Sequence, residues 1–264
     1  MNTSRPRASA VLLLSLALSA AISTASAAEP VAPAPAKDAT TVVLVHGAFA
    51  DGSSWNKVIP LLQAKGLKAV AVQNPLTSLE DDVAATNRVI NAQTGPVVLV
   101  GHSWAGTVIT QAGTHDKVKS LVYVASFAPS LGESSGEGTK AFPASPGLAR
   151  VIADADGYLT LPADAVAQDF AQDVSAQEAN LIAATQGPVR AANFEQKVTA
   201  AAWIAKPSWY IVAAQDRMID PGAQRALAKK LKAKTTVLQT SHVPMSSDPE
   251  AVAEVIADAA RAAR

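Results

Sequence analysis

Cysteine is missing from all 264 residues. That absence excludes disulfide staples, thiolate metal sites, a cysteine nucleophile and a lipid-modified cysteine. Net charge is missing as well, because 22 Lys and Arg balance 22 Asp and Glu. A neutral chain lacks the basic footprint that nucleic acid or an anionic membrane would need, and no long block of like charge supplies one locally. Histidine is scarce, with four in the chain, and no cluster has metal-ligand spacing. The glycines never form a G-x-G-x-x-G pattern. The sequence therefore predicts no cofactor, no metal and no nucleic-acid partner. It points to a small-molecule substrate and leaves the oligomeric state open.

What is present begins with a targeting pattern. Arg5 and Arg7 precede an apolar run at 8–22 that contains Leu12, Leu13, Leu14, Leu16 and Leu18. Ala25-Ser26-Ala27 then fits an A-x-A cleavage site. The run is short for a spanning helix. Residues 1–27 read as a signal peptide, and the chain as an exported, periplasmic or secreted protein of bacterial type with no stable membrane anchor after cleavage. Export without cysteine requires a large core to supply stability unaided, and 49% of the residues are hydrophobic. Residues 28–40, with Pro30, Pro33 and Pro35 among alanines, read as an extended linker. The folded domain is expected over 41–264.

Short apolar runs at 41–45, 68–73, 97–100, 121–125, 209–213 and 235–238 read as strands. Stretches at 55–64, 79–92, 106–112, 223–232 and 249–263 carry helical spacing. The run at 97–100 is apolar throughout, as a strand buried on both faces must be. Such alternation predicts an α/β fold with a mostly parallel sheet covered by helices on both faces. Residues between Ala125 and Lys206 break the pattern. They are rich in Gly, Ser and Pro over 129–147 and helical in spacing over 161–184. An excursion this long is more than a loop, and it reads as a small cap inserted at one edge of the sheet, at about 128–205.

The strongest chemical signal is Val97-Val98-Leu99-Val100-Gly101-His102-Ser103-Trp104-Ala105-Gly106. A strand runs into Gly-x-Ser-x-Ala-Gly and then into a helix, the setting that a nucleophile elbow requires. Small residues at Gly101 and Ala105 let the helix approach the strand, and Gly106 adds room. A second signal, Leu44-Val45-His46-Gly47-Ala48-Phe49, lies at the end of the first strand. Gly47 lets the backbone turn there so that the Ala48 amide faces the site. With the Trp104 amide it would form a pair able to stabilise a tetrahedral oxyanion.

A nucleophilic serine needs a base. His102 adjoins Ser103 and is expected to point away. His46 is expected to brace its loop, and His115 to lie on the opposite edge. His242, in Ser241-His242-Val243-Pro244 after the last strand, is the base by elimination and by position, since loops after strand C-termini share one edge. The acid that orients it is read as Asp216, just past the strand at 209–213. Asp220 is the rival, and its place before Pro221 suggests a turn or a helix cap. Phe49, Trp104, Phe127, Phe142, Tyr158, Leu159 and Leu161 are candidates for an apolar substrate pocket, although for each of them plain core or cap packing is the commoner role. Trp55, Trp203 and Trp209 read as core.

These residues resemble the α/β-hydrolase superfamily, most closely its compact branch of esterases, methyl esterases and hydroxynitrile lyases. The likeness rests on Val43 to Ala48 with Trp55 downstream, on Gly101 to Gly106, on Asp216 and on Ser241-His242, and it covers 41 to the end of the chain. It implies the α/β-hydrolase fold, a triad of Ser103, Asp216 and His242 in that chain order, and oxyanion amides from Ala48 and Trp104. Ala105 stands where glycine is usual. Gly47 stands where the lyases resemble each other in having threonine, which counts against lyase activity. The implied function is cleavage of small, apolar carboxylic esters through an acyl-enzyme. Lactone, amide or C–C hydrolysis and perhydrolysis run on the same fold, as does slow-turnover ligand binding.

Overall fold

The computed structural model describes residues 1–2 and 40–263. Except for Met1, Asn2 and Thr40, the expected signal peptide and linker lie outside the described residues. From Thr41 the chain alternates through β1 (Thr41–Val45), α1 (Val58–Ala64), β2 (Lys68–Val72), α2 (Leu79–Asn91), β3 (Val97–His102), α3 (Ala105–Ala112) and β4 (Val118–Val124). An insertion carries α4 (Ser135–Thr139), β5 (Ile152–Ala153), β6 (Tyr158–Thr160), α5 (Ala163–Ala165), α6 (Ala176–Thr185) and β7 (Val189–Arg190). The alternation resumes with β8 (Ser208–Ala213), α7 (Pro221–Lys230), β9 (Lys234–Leu238), α8 (Pro244–Ser247) and α9 (Pro249–Ala262).

The main sheet has six strands in the order β2-β1-β3-β4-β8-β9, and every neighbouring pair is parallel. Every residue of β1, β3 and β8 is buried, as covering both faces of a central strand demands. The edge strand β9 is mostly exposed or half-buried. From β1 the chain steps outward to β2, then returns to β3 on the other side of β1. Val45 stands opposite Gly101 in that register. The reversal opens a crevice beyond the carboxyl ends of β1 and β3, where ligands bind in open sheets of this kind.

Capping chemistry sets the helix starts. Ser78 caps α2 through the Asp81 amide, Asp220 caps α7 and Asp248 caps α9, the last two with proline at the first helical position. The helix expected over 55–64 begins later. Asp51 instead caps a 3-10 turn at Gly52–Trp55, and Pro60 falls in the first turn of α1, where it needs no N–H.

The helix expected over 161–184 is interrupted. A π-turn at Val166–Phe170 ends it, and the Asp173 carboxylate turns to the Ser241 amide (2.7 Å) and the Ser247 hydroxyl (2.7 Å). Ser175 then caps the separate helix α6. The insertion also holds a small antiparallel sheet, β5-β6-β7, which no sequence pattern announces because its strands are only two or three residues long. Among the described residues no helix is long and apolar enough to cross a membrane.

Candidate active site

Ser103 occupies the turn between β3 and α3 with φ of 52°, in the left-handed region that a non-glycine residue enters only under constraint. The constraint is visible. The Ser103 amide donates to the Val124 carbonyl (3.1 Å), and its own carbonyl accepts from the Ser126 hydroxyl (2.9 Å) and the Phe127 amide (3.2 Å). The Tyr210 hydroxyl on β8 donates in turn to the Ser126 carbonyl. A Cβ on Gly106 would come within 1.9 Å of both the Phe127 carbonyl oxygen and the Ser126 Oγ. Glycine is therefore indispensable at Gly106, whereas the turn accepts the methyl group of Ala105.

His242 follows β9 and is 1% exposed. The Ser103 hydroxyl donates to its Nε2 (2.8 Å), and its Nδ1–H donates to Asp216 Oδ2 (2.7 Å). The other Asp216 oxygen accepts the amides of Met218 (2.7 Å) and Ile219 (3.0 Å). Gln224 on α7 adds a bond from Nε2 to Oδ2 (2.6 Å) and is itself fixed by the Ala213 amide (2.9 Å) and the Ile219 carbonyl (2.9 Å). Asp220 caps α7 through the Ala223 amide (3.0 Å). No sequence signal marks Gln224, Ser126 or Tyr210, whose links to the site reach across to other elements.

His102 departs from expectation. Its ring does not turn away but packs against the His242 ring at 4.8 Å, and its Nε2–H donates to the His242 carbonyl (2.8 Å). Complete burial, with the neighbouring His242 second, holds its imidazole well below the ordinary histidine range. His46 braces its loop as a neutral ring. Nδ1–H donates to the Gly47 carbonyl (2.9 Å), and Nε2 accepts the Asn74 amide (2.9 Å). Burial lowers its pKa as well. His115 lies half-buried before β4, bonded to Asn91.

The Ala48 and Trp104 residues are buried, and neither amide has an acceptor among the described residues. Ala48 and Phe49 line a cavity of about 20 Å³ together with Ser103, Phe127, Leu148, Phe194, Met218, Ile219 and His242. Phe127, Leu148, Met218 and Ile219 also border an adjoining cavity of about 240 Å³ that includes Phe142. Tyr158 and Leu159 line neither. They lie on β6, the middle strand of the β5-β6-β7 sheet, where Leu159 pairs with Ala153 and Val189 and Tyr158 pairs with Arg190. Leu161 is core, and Trp203 is half-buried with its indole on the Pro129 carbonyl (3.0 Å). A larger cavity, about 470 Å³, lies between Asp51–Lys57 and α6 and touches none of Ser103, Asp216 and His242. Among the described residues no group of three or more His, Asp or Glu gathers as a metal would require.

Residues 42–255 match the alpha/beta hydrolase family. A pyrethroid hydrolase of Sphingobium wenxiniae is 27% identical over 252 residues, which is 84% of this chain and 88% of that protein. An alpha/beta hydrolase of Aspergillus novofumigatus is 25% identical over 241 residues, 83% of this chain and 96% of that one. The structure of polyneuridine aldehyde esterase superposes with a TM-score of 0.71 at 20% identity, covering 84% of this chain and 99% of that one. The chain belongs to the alpha/beta hydrolase family.

Proposed function

We propose that the protein is a serine hydrolase that cleaves carboxylic esters of small apolar compounds through an acyl-enzyme. The observation that carries this reading is the unbroken line from Ser103 Oγ through His242 to Asp216, with bonds of 2.8 and 2.7 Å. Ser103 Oγ attacks the ester carbonyl while His242 Nε2 takes its proton. The carbonyl oxygen gains the negative charge and is held by the Ala48 and Trp104 amides. As the carbonyl re-forms, the C–O bond to the alcohol breaks and His242 protonates the leaving oxygen. Water then attacks the acyl-enzyme, gives a proton to His242, and Ser103 leaves with that proton. Asp216 keeps the proton on Nδ1 throughout, so that Nε2 is free to act as base.

The apolar lining by Phe49, Phe127, Phe194, Leu148, Met218 and Ile219 supports an apolar substrate. The likeness to a pyrethroid hydrolase supports hydrolysis of a small organic molecule. The test is a fluorophosphonate probe together with p-nitrophenyl esters of graded chain length and a set of lactones. Stoichiometric labelling of Ser103, lost in Ser103→Ala, and turnover of the esters are expected. Folded protein that takes no label would refute the serine mechanism, and turnover confined to lactones would refute the ester assignment.

A further inference from the structure

Asp82 is a completely buried carboxylate that the ester chemistry does not use. It lies in the first turn of α2 beside Glu80 and Asp81, yet it is buried along with Leu79, Thr86 and Ile90, at the three- and four-residue spacing of one helix face. A buried carboxylate is tolerated only when its oxygens are paired. Oδ2 accepts the indole N–H of Trp104 (2.8 Å), and Oδ1 accepts the Leu76 amide (2.8 Å). Both oxygens act as acceptors, which suits the ionised form. Burial pushes the carboxyl up to about 6, so it remains ionised at neutral pH.

Each partner leads back to an oxyanion amide. Trp104 follows Ser103 directly, is fully buried, and meets Phe194 edge-on at 5.3 Å. Leu76, held at φ of 60°, is fixed through its carbonyl by the Arg190 amide (3.0 Å) and Asn193 Nδ2 (3.1 Å). Two residues earlier in the same loop, Asn74 holds His46 through its amide (2.9 Å) and through Nδ2 to the His46 carbonyl (3.0 Å). His46 is two residues before Ala48. The loop between β2 and α2 thus grips both arms that supply the amides.

We propose that Asp82 is a positioning residue, which fixes the Trp104 amide against the Ala48 amide by tying the Trp104 indole to the β2–α2 loop. This rests on the serine-hydrolase reading above. Asp82 touches neither Ser103 nor the cavity beside it, so its effect on chemistry passes through Trp104.

The experiment uses wild type, Asp82→Asn, Trp104→Phe and the double variant. Asparagine would set an NH₂ against the indole N–H or lose the Leu76 amide, and phenylalanine removes the indole donor while keeping an aromatic ring. Steady-state kinetics with p-nitrophenyl acetate are combined with inhibition by a trifluoromethyl ketone, whose tetrahedral adduct places an oxyanion between the two amides. Folding is monitored by circular dichroism and Tm. Each single variant should lower kcat about 10- to 100-fold with KM within about twofold. Affinity for the ketone should fall by a similar factor, and the double variant should be little worse than the more damaged single one. Folded Trp104→Phe with unchanged kcat and ketone affinity overturns the proposal, whatever its Tm. If Asp82→Asn does not fold, Trp104→Phe decides alone. Wild type that takes no fluorophosphonate label refutes the serine-hydrolase reading itself, and the proposal with it. Labelled wild type with unaffected variants refutes only the role of Asp82.

Discussion

His242 Nδ1 and Asp216 Oδ2 stand 2.7 Å apart, while Asp220, four residues further on, commits its carboxylate to the Ala223 amide. Asp216→Asn should therefore cut kcat by about 10⁴-fold through the wrong tautomer of His242. Asp220→Asn should leave kcat unchanged and alter stability by only a few tenths of a kcal/mol, since Asn and Asp cap helices about equally well. Parallel kcat and urea-unfolding measurements on the two variants check this, and equal losses of kcat would show that Asp216 is not the orienting acid.

Gly47 admits no side chain. An added Cβ would lie 2.8 Å from Ser103 Cβ and 2.9 Å from the His102 carbonyl oxygen. Gly47→Ala and Gly47→Thr should both lose about 1–3 kcal/mol of stability to overpacking, and fluorophosphonate labelling of Ser103 should slow with it. A threonine side chain at this position would thus displace Ser103 rather than add a useful hydroxyl. Thermal melts and labelling rates measure the two effects, and a wild-type labelling rate in Gly47→Thr would contradict the packing.

Burial sets the pH dependence of stability. His46 and His102 titrate below their ordinary value in the folded state, so their contribution is present above about pH 6.5 and is lost as pH falls through their folded values. Asp82 runs the other way. Its folded pKa of about 6 lies above the ordinary aspartate value of 3.8, so its contribution is full below the lower value and lost as pH rises through the upper one. Acidification from about pH 6 towards about pH 4 should destabilise Asp82→Asn more steeply than wild type, because the variant lacks that opposing gain. Urea midpoints across this range are the measurement, and parallel curves would mean that Asp82 does not titrate as its burial requires.

Leu148 belongs to the wall between the 20 Å³ cavity at Ser103 and the 240 Å³ cavity beyond it, and it is 49% exposed. Leu148→Ala should join the two spaces with little loss of stability. The expected result is a roughly tenfold rise in kcat/KM for octanoate relative to acetate esters, the scale of a few methylenes in an apolar pocket. An unchanged chain-length profile would place the acyl group elsewhere.

The fold was legible because burial on both faces leaves continuous apolar runs in β1, β3 and β8, and because a helix cap such as Asp220 before Pro221 is a local signal. Ser103 was legible for a similar reason. A sharp strand-to-helix turn needs small residues within a few positions of the serine, and that requirement is written in adjacent residues. His242 was reached through scarcity, since only four histidines exist.

Tertiary structure alone decided the rest. The break before α6 and the pairing that takes Tyr158 and Leu159 into β6 depend on partners such as Ser241 and Val189, far away in the chain. The ring of His102 was expected to turn away from the site, and packing placed it under His242. Gln224 on Asp216 and Asp82 on Trp104 depend on contacts across several elements. Asp82 left one trace, an acid at the spacing of a buried helix face, but among the acids of a helix N-terminus that trace reads as ordinary capping charge. Local geometry leaves its mark in neighbouring residues, whereas the pairing of buried polar groups is settled only when distant segments are brought together.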